Sequence, residues 1–299
     1  MFTDLHSTPA SAGLKRPRTK RKKHRGRPLR QNVIDRESRR LKKLLRPLYH
    51  CAFRFQLQVR LWLADHVFEK VSSDLPLPPA LLRFRVSESI SGETFLRVGE
   101  ACAAHIEQQV AMMGTGLAHV ERVLDFGCGC GRTIRWLIEH HPSTRFFGVD
   151  VDADAIEWCA KNLRNSEFFS NSPAPPLPFE SGYFDVIYCF SVFTHLNERM
   201  QDMWLKELKR ILKPRGIVIL TVHGERAAET LNGQAAKTLK SVGFLHQRSQ
   251  KLSGIVPGWY NTSWHSQSYI TARLGDLFSD VHYTVVPDGI QDLVVARNH

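Results

Sequence analysis

"VLDFGCGCGRT", Val123 to Thr133, carries an apolar run into an aspartate and then sets glycine at every second position, Gly127, Gly129 and Gly131. A short apolar run that ends in turn-permissive residues reads as a buried strand delivering the chain into a tight turn. Glycine adopts positive φ without steric cost, and its missing Cβ lets the backbone come close to a ligand. In a doubly wound sheet the turn between the first strand and its helix lies beyond the carboxyl ends of the strands, where ligands bind. An ordinary strand-to-helix turn rarely uses three alternating glycines after an acid.

Working outward, the segments "RFFGVDV", "YFDVIYCF" and "GIVILTV" repeat the apolar rhythm, and helical segments separate them. One of these, "NERMQDMWLKELKRIL", places Met200, Trp204, Leu208 and Ile211 on one face. Strands alternating with crossover helices predict a parallel sheet covered on both sides. The tail "DVHYTVVPDGIQDLVVARN" breaks the alternation, with two strands joined through "PDGI", and predicts an antiparallel C-terminal hairpin. Upstream, residues 37–117 predict a helical extension. Leu41, Leu44, Leu45, Leu48, Phe53, Leu57 and Leu61 are helically spaced with an interruption at Pro47, prolines 76, 78 and 79 mark a linker, and Phe95, Val98, Cys102, Ile106, Val110 and Met113 line a further helix.

Charge is segregated. The chain has 299 residues and a formal charge of +12, yet residues 1–46 hold 16 Lys or Arg against Asp4, Asp35 and Glu37, so everything after them is nearly neutral. Residues 1–36 are expected to form a disordered basic arm, because a segment so charged and so poor in apolar side chains cannot offset its ordering entropy. Any weak contact with nucleic acid or an anionic surface is assigned to residues 15–30. Their "RGRP" resembles the core of an arginine minor-groove hook, and a generic basic tail is the other reading.

The six cysteines lack paired spacing and read as free thiols of a reducing, cytoplasmic compartment. Cys128 and Cys130 have no second pair nearby at zinc-site spacing, so no metal is expected. No apolar run reaches the ~18 residues of a membrane span, and no signal-peptide core follows the first methionine.

The spacing Gly-x-Gly-x-Gly differs from the Gly-x-Gly-x-x-Gly that cradles a pyrophosphate. Asp125, two residues ahead, repels a pyrophosphate and suits a cationic amino group. Asp150 lies 19 residues after Gly131, where ribose recognition calls for an acid.

With these motifs the chain resembles the class I S-adenosylmethionine-dependent methyltransferases from about Val120 to its C-terminus, on "VLDFGCGCG", "FFGVDVD", "PPLPF", "SVFTHL" and "LKPRGIVILTVHG". Together with the C-terminal "QDLVV" they look like a bacterial branch of methyltransferase-domain proteins. The resemblance implies a Rossmann-like, mostly parallel seven-stranded sheet across a catalytic domain at 118–299, with S-adenosyl-L-methionine as cofactor. It also implies that Gly127, Gly129 and Gly131 form the cofactor loop, that Asp150 takes both ribose hydroxyls and that Val151 packs on the adenine. Asn171 is expected to meet the adenine edge, where the family commonly has an aspartate, and the end of the fourth strand, with Phe190, to face the cofactor.

Two histidines stand where an acceptor approaches: His195 after the fourth strand and His223 after the fifth. Each is either a general base or a residue that hydrogen-bonds the adjoining structure. Residues 225–265 form an insertion on the same side, and its "GIVPGWYNTSWHS" offers Trp259, Tyr260, Trp264 and His265 as an acceptor lining or as a separate packed cluster. DNA amino-methyltransferases carry Asn or Asp, then Pro-Pro and an aromatic, at the fourth-strand end. This chain has "FSVF" there, and it also lacks the Pro-Cys of the cytosine C5 enzymes. The expectation is a small-molecule acceptor. A nucleic-acid or protein acceptor recruited by the arm is the alternative, followed by a non-catalytic cofactor-binding scaffold.

Overall fold

The computed structural model describes residues 53, 55–68, 75–248, 261–286 and 291–299. The basic arm, the helix kink at Pro47, Trp259 and Tyr260 lie outside the described residues. Those described from residue 55 onward belong to one compact unit, Arg54–His299.

Among the described residues, nine strands and eight labelled helices follow a helical stretch at 55–68. The helices are α1 (Ala80–Ser87), α2 (Gly92–Met112), α3 (Ile134–His140), α4 (Ala153–Asn162), α5 (Glu198–Ile211), α6 (Glu225–Ala228), α7 (Gly233–Val242) and α8 (Gln267–Gly275). The strands are β1 (Arg122–Phe126), β2 (Arg145–Asp150), β3 (Ser166–Ser170), β4 (Phe184–Cys189), β5 (Leu212–Val222), β6 (Phe244–Arg248), β7 (Asn261–His265), β8 (Ser279–Thr284) and β9 (Asp292–Arg297). Seven strands make one sheet in the order β3-β2-β1-β4-β5-β9-β8, with β9 antiparallel to both neighbours, and β6 pairs with β7 in a separate ribbon.

Period-two alternation divides the side chains between two cores. Val123, Phe146, Val186, Tyr188, Ile217 and Ile219 meet α2, α3 and α4, whereas Leu124, Phe147, Ile187, Val218 and Leu220 meet α5 and α8. A strand buried on both sides needs no polar alternation, so β5 reads as one apolar run. Helix starts are capped by side chains: Asn197 accepts the Met200 amide at 2.9 Å, and Asp152 accepts that of Ala155 at 3.4 Å.

The segments on the two sides of residues 117 and 118 pack together. Ala103, Ile106 and Val110 of α2 pack on the sheet itself, and Arg135 of α3 reaches back to the carbonyls of Leu75 and Pro76 at 2.8 and 3.2 Å.

Candidate active site

The glycine loop leaves the carboxyl end of β1 between the ends of β2 and β4, its parallel neighbours. Gly127, Gly129 and Gly131 have φ of 82°, 51° and 75°, the left-handed region the sequence reading required. A Cβ on Gly129 would collide with Val86 of α1, and one on Gly127 with Val192 of the loop after β4. The loop is therefore a cradle closed by two valines from distant segments.

Asp150, at the end of β2, holds this loop in place. Its Oδ2 accepts the Gly129 amide at 2.8 Å and its Oδ1 the Asp152 amide at 2.8 Å. Burial pushes its carboxyl up, and these backbone donors oppose the shift. Asn171 follows β3 and donates its amide to the Asp150 carbonyl at 3.0 Å. Its side-chain nitrogen is used on Ser172, while its buried Oδ1 has no hydrogen-bond partner. Val151 stands half-buried beside them. An acid, a small apolar side chain and an orphaned acceptor in this order fit a ribose, an adenine face and an adenine amino group, so the residues present suit an adenosyl group.

Asp125 is almost fully buried on the β1 face shared with Tyr188 of β4. Burial drives its carboxyl up to about 8, Asp150 adds to the rise, and the Tyr188 hydroxyl and Arg132 pull against it. The Tyr188 hydroxyl lacks a partner of normal hydrogen-bond geometry. Phe190, half-buried, stands edge-on to the Tyr188 ring at 6.2 Å between centroids.

Helix α1 covers this end of the sheet, a role with no signal in the local sequence. Arg85 reaches Asp152 and Asp154 at 3.0 Å each, and the Val86 carbonyl accepts from Arg132 at 3.2 Å. On the β4 side, Ser191 takes a φ of 63°, donates its amide to Thr221 Oγ1 at 2.7 Å and shares a 2.9 Å hydrogen bond with Gln291 ahead of β9. A non-glycine residue held at positive φ marks a constrained site.

The two rim histidines meet the β6–β7 ribbon. His195 Nδ1 lies 2.6 Å from the Asn261 carbonyl, and His223 Nδ1 3.1 Å from that of Ser263. Burial lowers both imidazoles below their ordinary value. The Asn261 bond and the Glu88 carboxylate oppose this at His195; at His223 the Ser263 bond opposes it, while His195 adds to it. Trp264 packs beside His223 with ring centroids 6.2 Å apart.

His265 lies in a packed cluster, the other of the two expected settings. It is wholly buried, 3.0 Å from Gln201 Oε1, and burial lowers it to about 3. It is part of the packing that seats the ribbon. The described cysteines are free thiols, and no group of three metal-binding side chains occurs among the described residues. No helix among them is long and apolar enough to cross a membrane.

A doubly wound sheet with a glycine loop after β1 and an acid ending β2 defines an α/β domain built to bind a nucleoside-bearing cofactor. Residues 123–216 match the methyltransferase domain family. The chain is 26% identical over 175 residues to a tRNA (carboxymethyluridine(34)-5-O)-methyltransferase of Arabidopsis thaliana, covering 56% of this chain and 42% of that one. It is 29% identical over 161 residues to a demethylmenaquinone methyltransferase of Lactococcus lactis, covering 52% and 56%. It thus spans about half the length of the curated relatives it matches. A candidate O-methyltransferase of Nostoc punctiforme shares the fold, with a TM-score of 0.51 at 16% identity over 82% of this chain and 68% of that one. Over residues 123–216 the chain carries a class I S-adenosylmethionine-dependent methyltransferase domain.

Proposed function

We propose that the protein transfers a methyl group from S-adenosylmethionine to a small-molecule acceptor that carries an ionisable hydroxyl or amine. The observation that carries the cofactor part is the run from Gly129 through Asp150 to Asn171, in which one acid grips the glycine loop and an unpaired buried acceptor waits at the next strand end. Asp150 would hold the ribose hydroxyls, Asn171 Oδ1 the adenine amino group, Val151 and Phe190 the ring faces, and Asp125 the cationic amino group. When bound, S-adenosylmethionine supplies a sulfonium methyl whose C–S electron pair leaves with sulfur as the acceptor's lone pair bonds the carbon.

The rest is positioning and proton removal. A carbonyl cannot donate a proton, so the proton of neutral His195 sits on Nδ1, facing Asn261, and Nε2 carries the lone pair that takes the acceptor's proton. Burial disfavours the charged form of that imidazole. The name of the Lactococcus relative, which specifies demethylmenaquinone, and the nearly neutral charge of residues 47–299 support a small acceptor.

The charge of the arm favours a second reading, a polyanionic acceptor recruited by residues 15–30, in keeping with the name of the Arabidopsis relative. Labelled S-adenosylmethionine incubated with metabolite, RNA and protein pools, with and without residues 1–46, separates them. Label in the metabolite pool irrespective of the arm supports the first reading, and arm-dependent label in RNA supports the second.

A further inference from the structure

In an antiparallel ribbon, alternate residues turn both their N–H and C=O groups to the same edge. Thr262 and Trp264 stand opposite Gln247 and Leu245 of β6, and Asn261, Ser263 and His265 turn their main chain the other way, toward the domain. That edge is filled in order. The Asn261 carbonyl faces His195 Nδ1 at 2.6 Å, and the Ser263 amide donates to Thr194 at 2.7 Å. The Ser263 carbonyl faces His223 Nδ1 at 3.1 Å, and the His265 amide donates to the His223 carbonyl at 2.9 Å.

Ser263 sits at the centre and is fully buried. Its hydroxyl donates to the Leu196 carbonyl at 2.7 Å, so it can only accept from His246 Nδ1, 2.8 Å away. Through its amide and its hydroxyl it therefore fastens Thr194 and Leu196, the residues on either side of His195. Through its carbonyl it faces His223.

We propose that Ser263 is a positioning residue that pins the free edge of β7 against both rim histidines and so fixes each as the Nδ1-protonated tautomer, in which Nε2 is the basic nitrogen. This rests on the reading of the rim histidines as proton acceptors and restricts the substrate class to acceptors that must lose a proton from a hydroxyl or amine. A bare carbonyl selects the tautomer because it accepts a hydrogen bond and offers none. Isolated histidine favours the opposite tautomer, so the carbonyl edge of the ribbon, and not the ring, determines which nitrogen is basic.

Long-range 1H–15N correlation of the imidazoles in the full chain at neutral pH reads the tautomers directly. The expected result is a single Nδ1-protonated form for His195 and for His223. Ser263→Ala should turn the His223 signal from one form into a mixture of two, with affinity for S-adenosylhomocysteine changed less than two-fold by calorimetry. Ser263→Cys keeps the shape with a weaker hydrogen-bonding group and should lie between the two. A wild type that holds Nε2-protonated imidazoles overturns the proposal, as does a Ser263→Ala variant with both signals unchanged. Failure of the wild type to bind S-adenosylhomocysteine counts against the methyltransferase reading alone, because the tautomers are measured without it.

Discussion

Asp150 Oδ2 accepts the Gly129 amide at 2.8 Å, so the acid that ends β2 also sets the shape of the loop that follows β1. On the proposed reading, cofactor recognition and loop geometry are joined in one carboxylate. Asp150→Ala should weaken S-adenosylhomocysteine binding by about 1.5 to 3 kcal/mol, roughly 10- to 150-fold, the worth of hydrogen bonds to a charged group. Calorimetry measures it. An unchanged affinity would remove Asp150 from the site.

Asp125 predicts a proton linkage. Burial raises its carboxyl from an ordinary 3.8 to about 8. Without ligand, the folded chain holds this proton where the unfolded chain releases it, so the Asp125 contribution to stability is fully present below about 4 and is lost as pH rises toward about 8. A cationic amino group beside the carboxyl favours its ionised form. Uptake of S-adenosylhomocysteine at pH 7 should therefore release a proton from Asp125, and affinity should climb with pH until about 8. Calorimetry in two buffers of different ionisation enthalpy counts the protons, and Asp125→Asn should abolish the Asp125 share of the release. The same release from wild type and variant would show that Asp125 is not the linked group.

Gly129 and Val86 should be energetically coupled. Alanine at 129 keeps a φ of 51°, which costs about 1 to 2 kcal/mol for a residue with a Cβ, and it also meets Val86. Val86→Ala removes the collision and leaves the backbone term. In a double-mutant cycle followed by urea unfolding, the double variant should be less destabilised than the sum of the singles by 0.5 kcal/mol or more. Simple additivity would mean that α1 does not bear on the loop.

The basic arm should bind polyanions independently of the cofactor. It holds ten Lys or Arg between Lys15 and Arg30 and no acid. Deleting residues 1–34 should leave S-adenosylhomocysteine affinity unchanged and abolish retardation of a duplex in gels, while the full chain should bind with a steep fall between two salt concentrations. A preference for A·T-rich duplex that disappears when Arg25 and Arg27 are both changed to Ala selects minor-groove insertion, and indifference to sequence selects a generic tail. Retention of duplex binding without the arm would contradict the charge argument.

The architecture was legible where burial is two-sided or where backbone geometry demands glycine. The run through Val218 and Leu220 announced β5, and the alternating glycines announced a turn at positive φ. β3 gave no comparable signal, because Ser166–Ser170 lies at the sheet edge with its side chains half-buried or exposed, and such a strand needs no apolar run. The burial of His265 was illegible for a related reason: among Trp, Asn and Ser in a surface-like insertion, nothing local shows that Gln201, 64 positions away, meets its Nε2 in the core. The parts of the site supplied by α1, by Ser191 with Gln291 and by the edge of β7 depend on partners far along the chain. Periodicity reports only which side of an element is covered, not by what.

The Arg85–Asp152 ion pair spans 67 positions, and this has a consequence for synthesis. Chains grow from the N-terminus at about 5 to 20 residues per second, so α1 is complete roughly 3 to 13 seconds before its anchor exists. During that interval Leu82 and Val86 have neither the glycine loop nor the start of α4 to rest on. Residues 80–87 are made early and seated late, and a nascent chain halted before Asp152 would carry them without the carboxylates that hold Arg85.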